Sequence, residues 1–249
     1  MTHRTFPRRP RARVAAPGFT LIELMVAITI GLFIALGFSV AFVNLKTTFN
    51  TQSQLGALQD NERLALSLLS ASAQQAGYFP DPLNNTAAAL MPAYTDSTYG
   101  GMSAGQDVVG KAAGSSTPEY FTTRYTTSGS DGLLNCLGNT SSTANQVFRN
   151  TFYVDSSTNE LMCRYYDGST AATVALVSGV QGMSVRYGVD TNSDGVVDRY
   201  AAPADVTTAQ WQTVRSLRVT LTFQSPYSGA GAGSSTPVWV QTINLMNNK

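Results

Sequence analysis

A chain of 249 residues, 43% hydrophobic and 12% charged, has the material for one large domain or two small ones. Its formal net charge of +1 hides a division. Arg4, Arg8, Arg9, Arg11 and Arg13 precede Phe19 with no acid among them, and without them 11 lysines and arginines face 15 acids, a net of −4. A remainder of that sign excludes a broad nucleic-acid footprint. The single histidine, His3, also lies in the leading segment, so a processed chain has no histidine to activate a nucleophile or ligate zinc. The low charge, the 21 glycines and the many Ser, Thr and Asn fit an exported β-rich protein better than a cytosolic enzyme.

Residues 1–18 form a basic leader. Residues 19–43 are apolar apart from Thr20, Glu23, Thr29 and Ser39, long enough to cross a hydrocarbon core of about 30 Å as a helix. A secretory signal has a shorter apolar region with its small-residue cut behind it. Here the small residues Ala16 and Gly18 stand in front. The run therefore reads as an anchor, and the arginines before it place the N-terminus in the cytoplasm and the rest of the chain outside.

The helical pattern continues through residues 44–77. Leu66, Leu69, Ala73 and Ala76 fall on one face, and Leu45 with Phe49 and Leu55 with Leu58 are earlier pairs at helical spacing. Gly77 and then Pro80 are stop signals. One helix over 19–77 would be about 90 Å long, with an apolar half and an amphipathic half that packs on a globular domain.

The stretch "GFTLIELMVAITIG" resembles the class III signal of type IV pilins and related pseudopilins. The resemblance implies a cut after Gly18 by a prepilin peptidase, N-methylation of Phe19, and a subunit-pairing role for Glu23, five residues into the mature chain. The chemistry suits it. A peptidase at the cytoplasmic face must cut ahead of an apolar run that is kept, and the amine created on Phe19 is a partner for the carboxylate of a neighbouring subunit. Unpaired, that carboxylate in the membrane costs about 3 kcal/mol or more.

Residues 78–118, rich in Pro, Gly, Ala and Ser, read as an irregular linker. Residues 119–249 carry the strand signals. "EYFTTRYTT" puts Phe121, Thr123 and Tyr125 on one face, and "NTFYVDSSTNELMCRYYDG" is a hairpin turning at 156–159. "TVALVSGVQGMSVRYGVD" holds one or two strands, with Val185, Tyr187 and Val189 together. A helix or turn carries Trp211. "SLRVTLTFQS" turns Leu217, Val219, Leu221 and Phe223 inward, and "PVWVQTINL" is its partner across a flexible "PYSGAGAGSST". Such alternation predicts an antiparallel sheet with one buried face. The expected fold is α+β, a long N-terminal helix packed on an antiparallel sheet.

Two smaller features carry chemistry. Cys136 and Cys163 are the only cysteines. They form either one disulfide across a separation of 27 or two buried thiols, and export favours the disulfide. In "DTNSDGVVDRY", Asp190, Asn192, Asp194 and Asp198 place oxygen side chains at alternate or near-alternate positions around Gly195, with the Val196 carbonyl in reach. That spacing suits a short Ca²⁺ loop. The twelfth position is Ala201 rather than an EF-hand glutamate, so the other reading is an Asx-rich turn between strands.

"NERLALSLLSASAQQAGYF", the pair Asn135–Cys136, "VQGMSVRYGVDTNSDGVVDRY", Trp211 and "VRSLRVTLTFQS" together resemble the PilW-type minor pilins. That resemblance implies a low-abundance subunit of type IV pilus assembly, acting with other minor and major pilins and an inner-membrane assembly platform, and then reaching the cell surface. Two alternatives share parts of the pattern: a type II secretion pseudopilin, and a membrane-tethered adhesin that binds through the loops after Gly77. No residue pattern proposes an enzyme.

Overall fold

The computed structural model describes residues 18–247 apart from Ser97, Ser116 and 226–235. The basic leader with His3, and most of the glycine-rich connection before the last strand, lie outside the described residues. The chain divides into two compact units, Met1–Asn50 and Thr51–Lys249. Helix α1 (Leu21–Gln75) begins in the first and ends in the second.

In the first unit every described residue is exposed. The apolar side chains from Phe19 to Val43 have no protein cover, and the pair Leu45 and Phe49 is exposed as well. Length and composition make α1 able to cross a membrane, and apolar residues with no charge between Glu23 and Lys46 leave little there for water to solvate well.

In the second unit Leu69, Ala73 and Ala76 of the predicted stripe are buried, Leu66 is half-buried, and Ala65 beside it takes the inward position. Ala65, Leu69, Ala73 and Ala76 have no exposed surface, with Leu58 and Leu66 packed beside them. The chain leaves the helix at Gln75, just before Gly77, and the Gly77 N–H donates to the Arg124 carbonyl at 2.8 Å.

Two antiparallel sheets pack here, where one was expected. The first has five strands in sequence order: β1 (Val108–Lys111), β2 (Tyr120–Thr127), β3 (Gln146–Asp155), β4 (Glu160–Tyr166) and β5 (Ala171–Ser178). The second has four, β6 (Val180–Val189), β7 (Arg199–Ala201), β8 (Val214–Phe223) and β9 (Val238–Asn244), in the order β7-β6-β8-β9. The stretch read as one or two strands is two, and the break is Gly179. Its φ of +79° is a conformation other residues adopt at a cost, and it turns the chain from the edge of one sheet into the other. Phe121, Phe152, Leu161 and Cys163 from the first sheet share a core with Val185, Tyr187, Leu217, Val219, Leu221 and Phe223 from the second and with the α1 stripe.

The segment expected as a linker is irregular but packed. It holds a four-residue helix, α2 (Ala87–Leu90), strand β1 and a bridge from Tyr94 to Met102, and it buries Met91, Met102 and Val108. It covers the face of the first sheet opposite α1, so every residue of β2 is buried. On one side of β2, Thr123 shares a hydroxyl hydrogen bond of 2.8 Å with Ser72 of α1. On the other, Arg124 donates to the carbonyls of Gln106, Pro92 and Ser103 at 2.8, 2.8 and 2.7 Å. Three hydrogen bonds from one cation fasten a segment that has almost no ladder of its own. Gly110 is required by close approach: a Cβ there would lie 1.6 Å from the Tyr187 hydroxyl.

Candidate functional site

The helix start is where the expected processing residues sit. Gly18 is exposed and Phe19 is 89% exposed, both ahead of the first helical turn. A peptide bond in that position is open to a peptidase. Thr20 caps the helix: its hydroxyl accepts from the Glu23 N–H at 3.3 Å. The Glu23 carboxylate reaches back to the Thr20 N–H and hydroxyl, both at 3.3 Å. This is a capping box, in which Thr and Glu three residues apart satisfy each other's otherwise orphaned N–H groups. The carboxylate also faces the positive end of the helix dipole. Glu23 therefore has a local partner before any neighbouring subunit is considered. The T-x-x-E spacing of Thr20 and Glu23 was the signal, and attention to the charge alone passes over it.

The structure brings Asp190, Asn192, Asp194 and Asp198 into a tight turn between β6 and β7. The turn fits the second of its two readings better than the first. The Asp190 carboxylate accepts from the N–H groups of Ser193 and Gly195 at 2.6 and 2.9 Å. One of its oxygens also accepts from the Arg215 guanidinium at 3.1 and 3.2 Å. Burial raises its pKa, but the Gly195 N–H, Arg215 and the Ser193 N–H outweigh that, and the net shift is downward. Asp198 is held by the Thr191 N–H and hydroxyl at 2.7 and 2.6 Å, and Asp194 by the Val196 N–H at 2.8 Å. Carboxylates facing donors are not gathered around a cation. Among the described residues no group of three or more His, Cys, Asp and Glu side chains is placed to hold a metal ion. The Ca²⁺ expectation thus meets a donor set that does not fit it. The repulsion among three carboxylates is relieved by Arg215 and by backbone N–H groups. Arg215 lies 25 residues from Asp190, too far along the chain for the loop motif to reveal.

Cys136 and Cys163 form a disulfide with a Cα–Cα distance of 6.3 Å. Cys163 is in β4, and Cys136 lies in the loop between β2 and β3. That loop is pinned from both sides. The Asn135 side chain accepts from the N–H groups of Leu137 and Asn139 at 2.9 and 3.1 Å. Asn150 of β3 accepts from the Cys136 N–H at 3.2 Å, and the Tyr125 hydroxyl donates to the Leu134 carbonyl.

Comparison with known proteins bears on both ends of the chain. A family described as "Prokaryotic N-terminal methylation motif" matches residues 15–39, and one described as "Type IV Pilus-assembly protein W" matches residues 151–247. No curated protein matches the chain. Among solved structures, a type IV-like pilin from Thermus thermophilus is similar at 12% identity with a TM-score of 0.46, covering 77% of this chain and 98% of its own.

Proposed function

We propose that this chain, which is type IV pilin-like, with an N-terminal methylation motif ahead of a PilW region, is a minor pilin that initiates or supports type IV pilus assembly. The observation that carries the reading is the join at Gly18. A methylation motif opens directly onto a capped helix whose apolar side chains from Leu21 to Val43 are all exposed. Exposed apolar surface of that extent is stable only in lipid or against other apolar helices. In this reading the chain is held in the inner membrane with its N-terminus cytoplasmic and its β-rich part periplasmic. A prepilin peptidase cuts after Gly18, Phe19 is methylated, and the retained helix passes from the membrane to the filament core beside other pilins and the assembly platform.

Glu23 then serves twice. In the uncut chain it closes the capping box with Thr20. In the assembled state it pairs with the amine of a neighbour's Phe19, which offsets the cost of keeping a carboxylate among apolar helices. The role is structural, and a pilin-like chain of this kind acts through assembly rather than turnover.

The test is genetic and biochemical together. Deletion of the gene is expected to abolish surface pili and to leave enzyme secretion intact, with pilins and platform proteins recovered with the chain from membranes. Loss of secretion with normal piliation overturns the pilus assignment in favour of a pseudopilin. Glu23→Ala is expected to leave cleavage and methylation intact while reducing incorporation into filaments at least tenfold. Normal incorporation of that variant overturns the pairing role without touching the assignment.

A further inference from the structure

The face of the first sheet opposite α1 carries three arginines. Arg124 and Arg149 are direct cross-strand partners on β2 and β3, and Arg149 in turn faces Tyr166 on β4. Arg164 stands two residues from Tyr166 on the same face. Like charges placed directly opposite one another in a sheet destabilise it, so each of these cations needs an account of what offsets it.

Two have one. Arg124 is saturated by the three carbonyls of Gln106, Pro92 and Ser103. Arg164 is paired with Asp96 at 3.0 Å. Arg149 is different. It is 6% exposed, and its Nε and Nη1 are buried without a hydrogen-bond partner. Its guanidinium lies over the Tyr94 ring at 4.3 Å and 5.6 Å from the centre of the Tyr166 ring. The rings hold its plane but supply no acceptor in that plane.

The nearby carboxylates are engaged elsewhere. Asp96 also accepts from the N–H groups of Thr98 and Tyr99 at 2.8 and 3.0 Å. Asp167 accepts from the N–H groups of Ser169 and Thr170 at 2.9 and 2.6 Å and from the Ser169 hydroxyl at 3.1 Å. Above the guanidinium the turn after β4 passes through Gly168, which is exposed and has no side chain to cover Nη1. A buried guanidinium left without an acceptor costs a few kcal/mol. An oxyanion with two oxygens in one plane matches its fork.

We propose that Arg149, framed by Tyr94 and Tyr166, is an oxyanion-binding site that takes one carboxylate or phosphate group. Tyr94 and Tyr166 fix the guanidinium plane, Arg124 adds positive potential from the neighbouring strand, and the exposed turn at Gly168, with no side chain over Nη1, is the side that must yield to admit the oxyanion. The site is independent of the pilus assignment, because it is argued only from groups packed within the second unit, Thr51–Lys249.

The test uses the full chain in neutral detergent. The arginine Nε–H resonances are followed by NMR as inorganic phosphate, acetate or chloride is added at constant ionic strength. The Arg149 signal is expected to shift saturably with phosphate, acetate or both, and not with chloride. Saturation by phosphate alone assigns the site to phosphate groups, and by acetate alone to carboxylates. Arg149→Lys keeps the charge and loses the fork, and it is expected to weaken binding about tenfold or more. A linear response, an equal response to chloride, or unchanged affinity in Arg149→Lys overturns the proposal and leaves water as the partner of Arg149. Should the variant fail to fold, the wild-type titration decides alone.

Discussion

Removing the Cys136–Cys163 bridge should destabilise the second unit, Thr51–Lys249, by an amount the loop length sets. The bridge closes a sequence separation of 27 residues. Loop-closure entropy for that length is about 3.5 kcal/mol at 25 °C. In an ordered unit of about 200 residues this lowers the melting temperature by about 10 °C. Cys163 is fully buried in β4 between Phe152 and Val174, so replacing it also leaves a small void. The double variant Cys136→Ala/Cys163→Ala should therefore lose slightly more than the reduced wild type, in which no atoms are removed. Tryptophan fluorescence of the full chain in detergent, melted with and without a reducing agent, measures both. The side-chain bonds of Asn135 and Asn150 hold the loop in place after reduction, so the fold should survive with its secondary structure intact. A loss below about 1 kcal/mol on reduction would refute the reasoning, because the unfolded chain would then be restricted by something other than the bridge.

Gly110→Ala should be among the most damaging single changes in the second unit. The new Cβ would lie 1.6 Å from the Tyr187 hydroxyl and 2.4 Å from its ring carbon, and Tyr187 is fixed edge-on to Trp211 at 4.7 Å. Overpacking of this kind costs about 3 kcal/mol, read as a melting temperature lower by about 9 °C. Asp107 gives a pH signature: burial pushes its carboxyl up to about 7. Between about pH 4 and 7 the folded chain holds a proton that the unfolded chain has lost, so stability falls across that window, by up to about 4 kcal/mol, and levels off above it. Asp107→Asn should flatten the slope in denaturant titrations at pH 5 and 7.5. For the Asp190 turn, adding a chelator is expected to leave the melting temperature unchanged while Asp190→Asn lowers it. A chelator-induced fall that Ca²⁺ reverses would restore the cation reading.

Some of this structure is legible in the chain because periodicity is local. Leu217, Val219, Leu221 and Phe223 alternate within one strand, and all four are buried where the alternation puts them. Leu69, Ala73 and Ala76 recur at helical spacing and meet the core. The turn at 156–159 joins β3 to β4 as its composition predicts, with Asp155 opposite Glu160. What periodicity does not carry is which side chains meet across the sheet. Arg124 looks like an outward-facing charge in an alternating strand, yet it is fully buried and binds three carbonyls of a segment that reads as linker. Those carbonyls come from 18 to 32 residues upstream, and no local pattern marks them.

The same limit bears on two carboxylates. Glu23 reads as a charge awaiting a neighbouring subunit's amine, and the threonine three residues before it adds a local partner within the same chain. Asp190 reads either as a cation ligand or as part of an Asx-rich turn, and Arg215 from β8 is the partner the turn reading lacked. In each case the charge was visible and its partner decided its role. Local spacing reveals the first partner, since a capping box spans one helical turn. The second depends on the antiparallel pairing of β6 with β8: the Asp190 N–H donates to the Thr213 carbonyl at 3.0 Å, and Arg215, at the register shift between Gly188 and Val189, reaches back along the ladder to the Asp190 carboxylate. A carboxylate at the end of one strand should therefore be read against the residues that register sets beside it before it is assigned to a ligand.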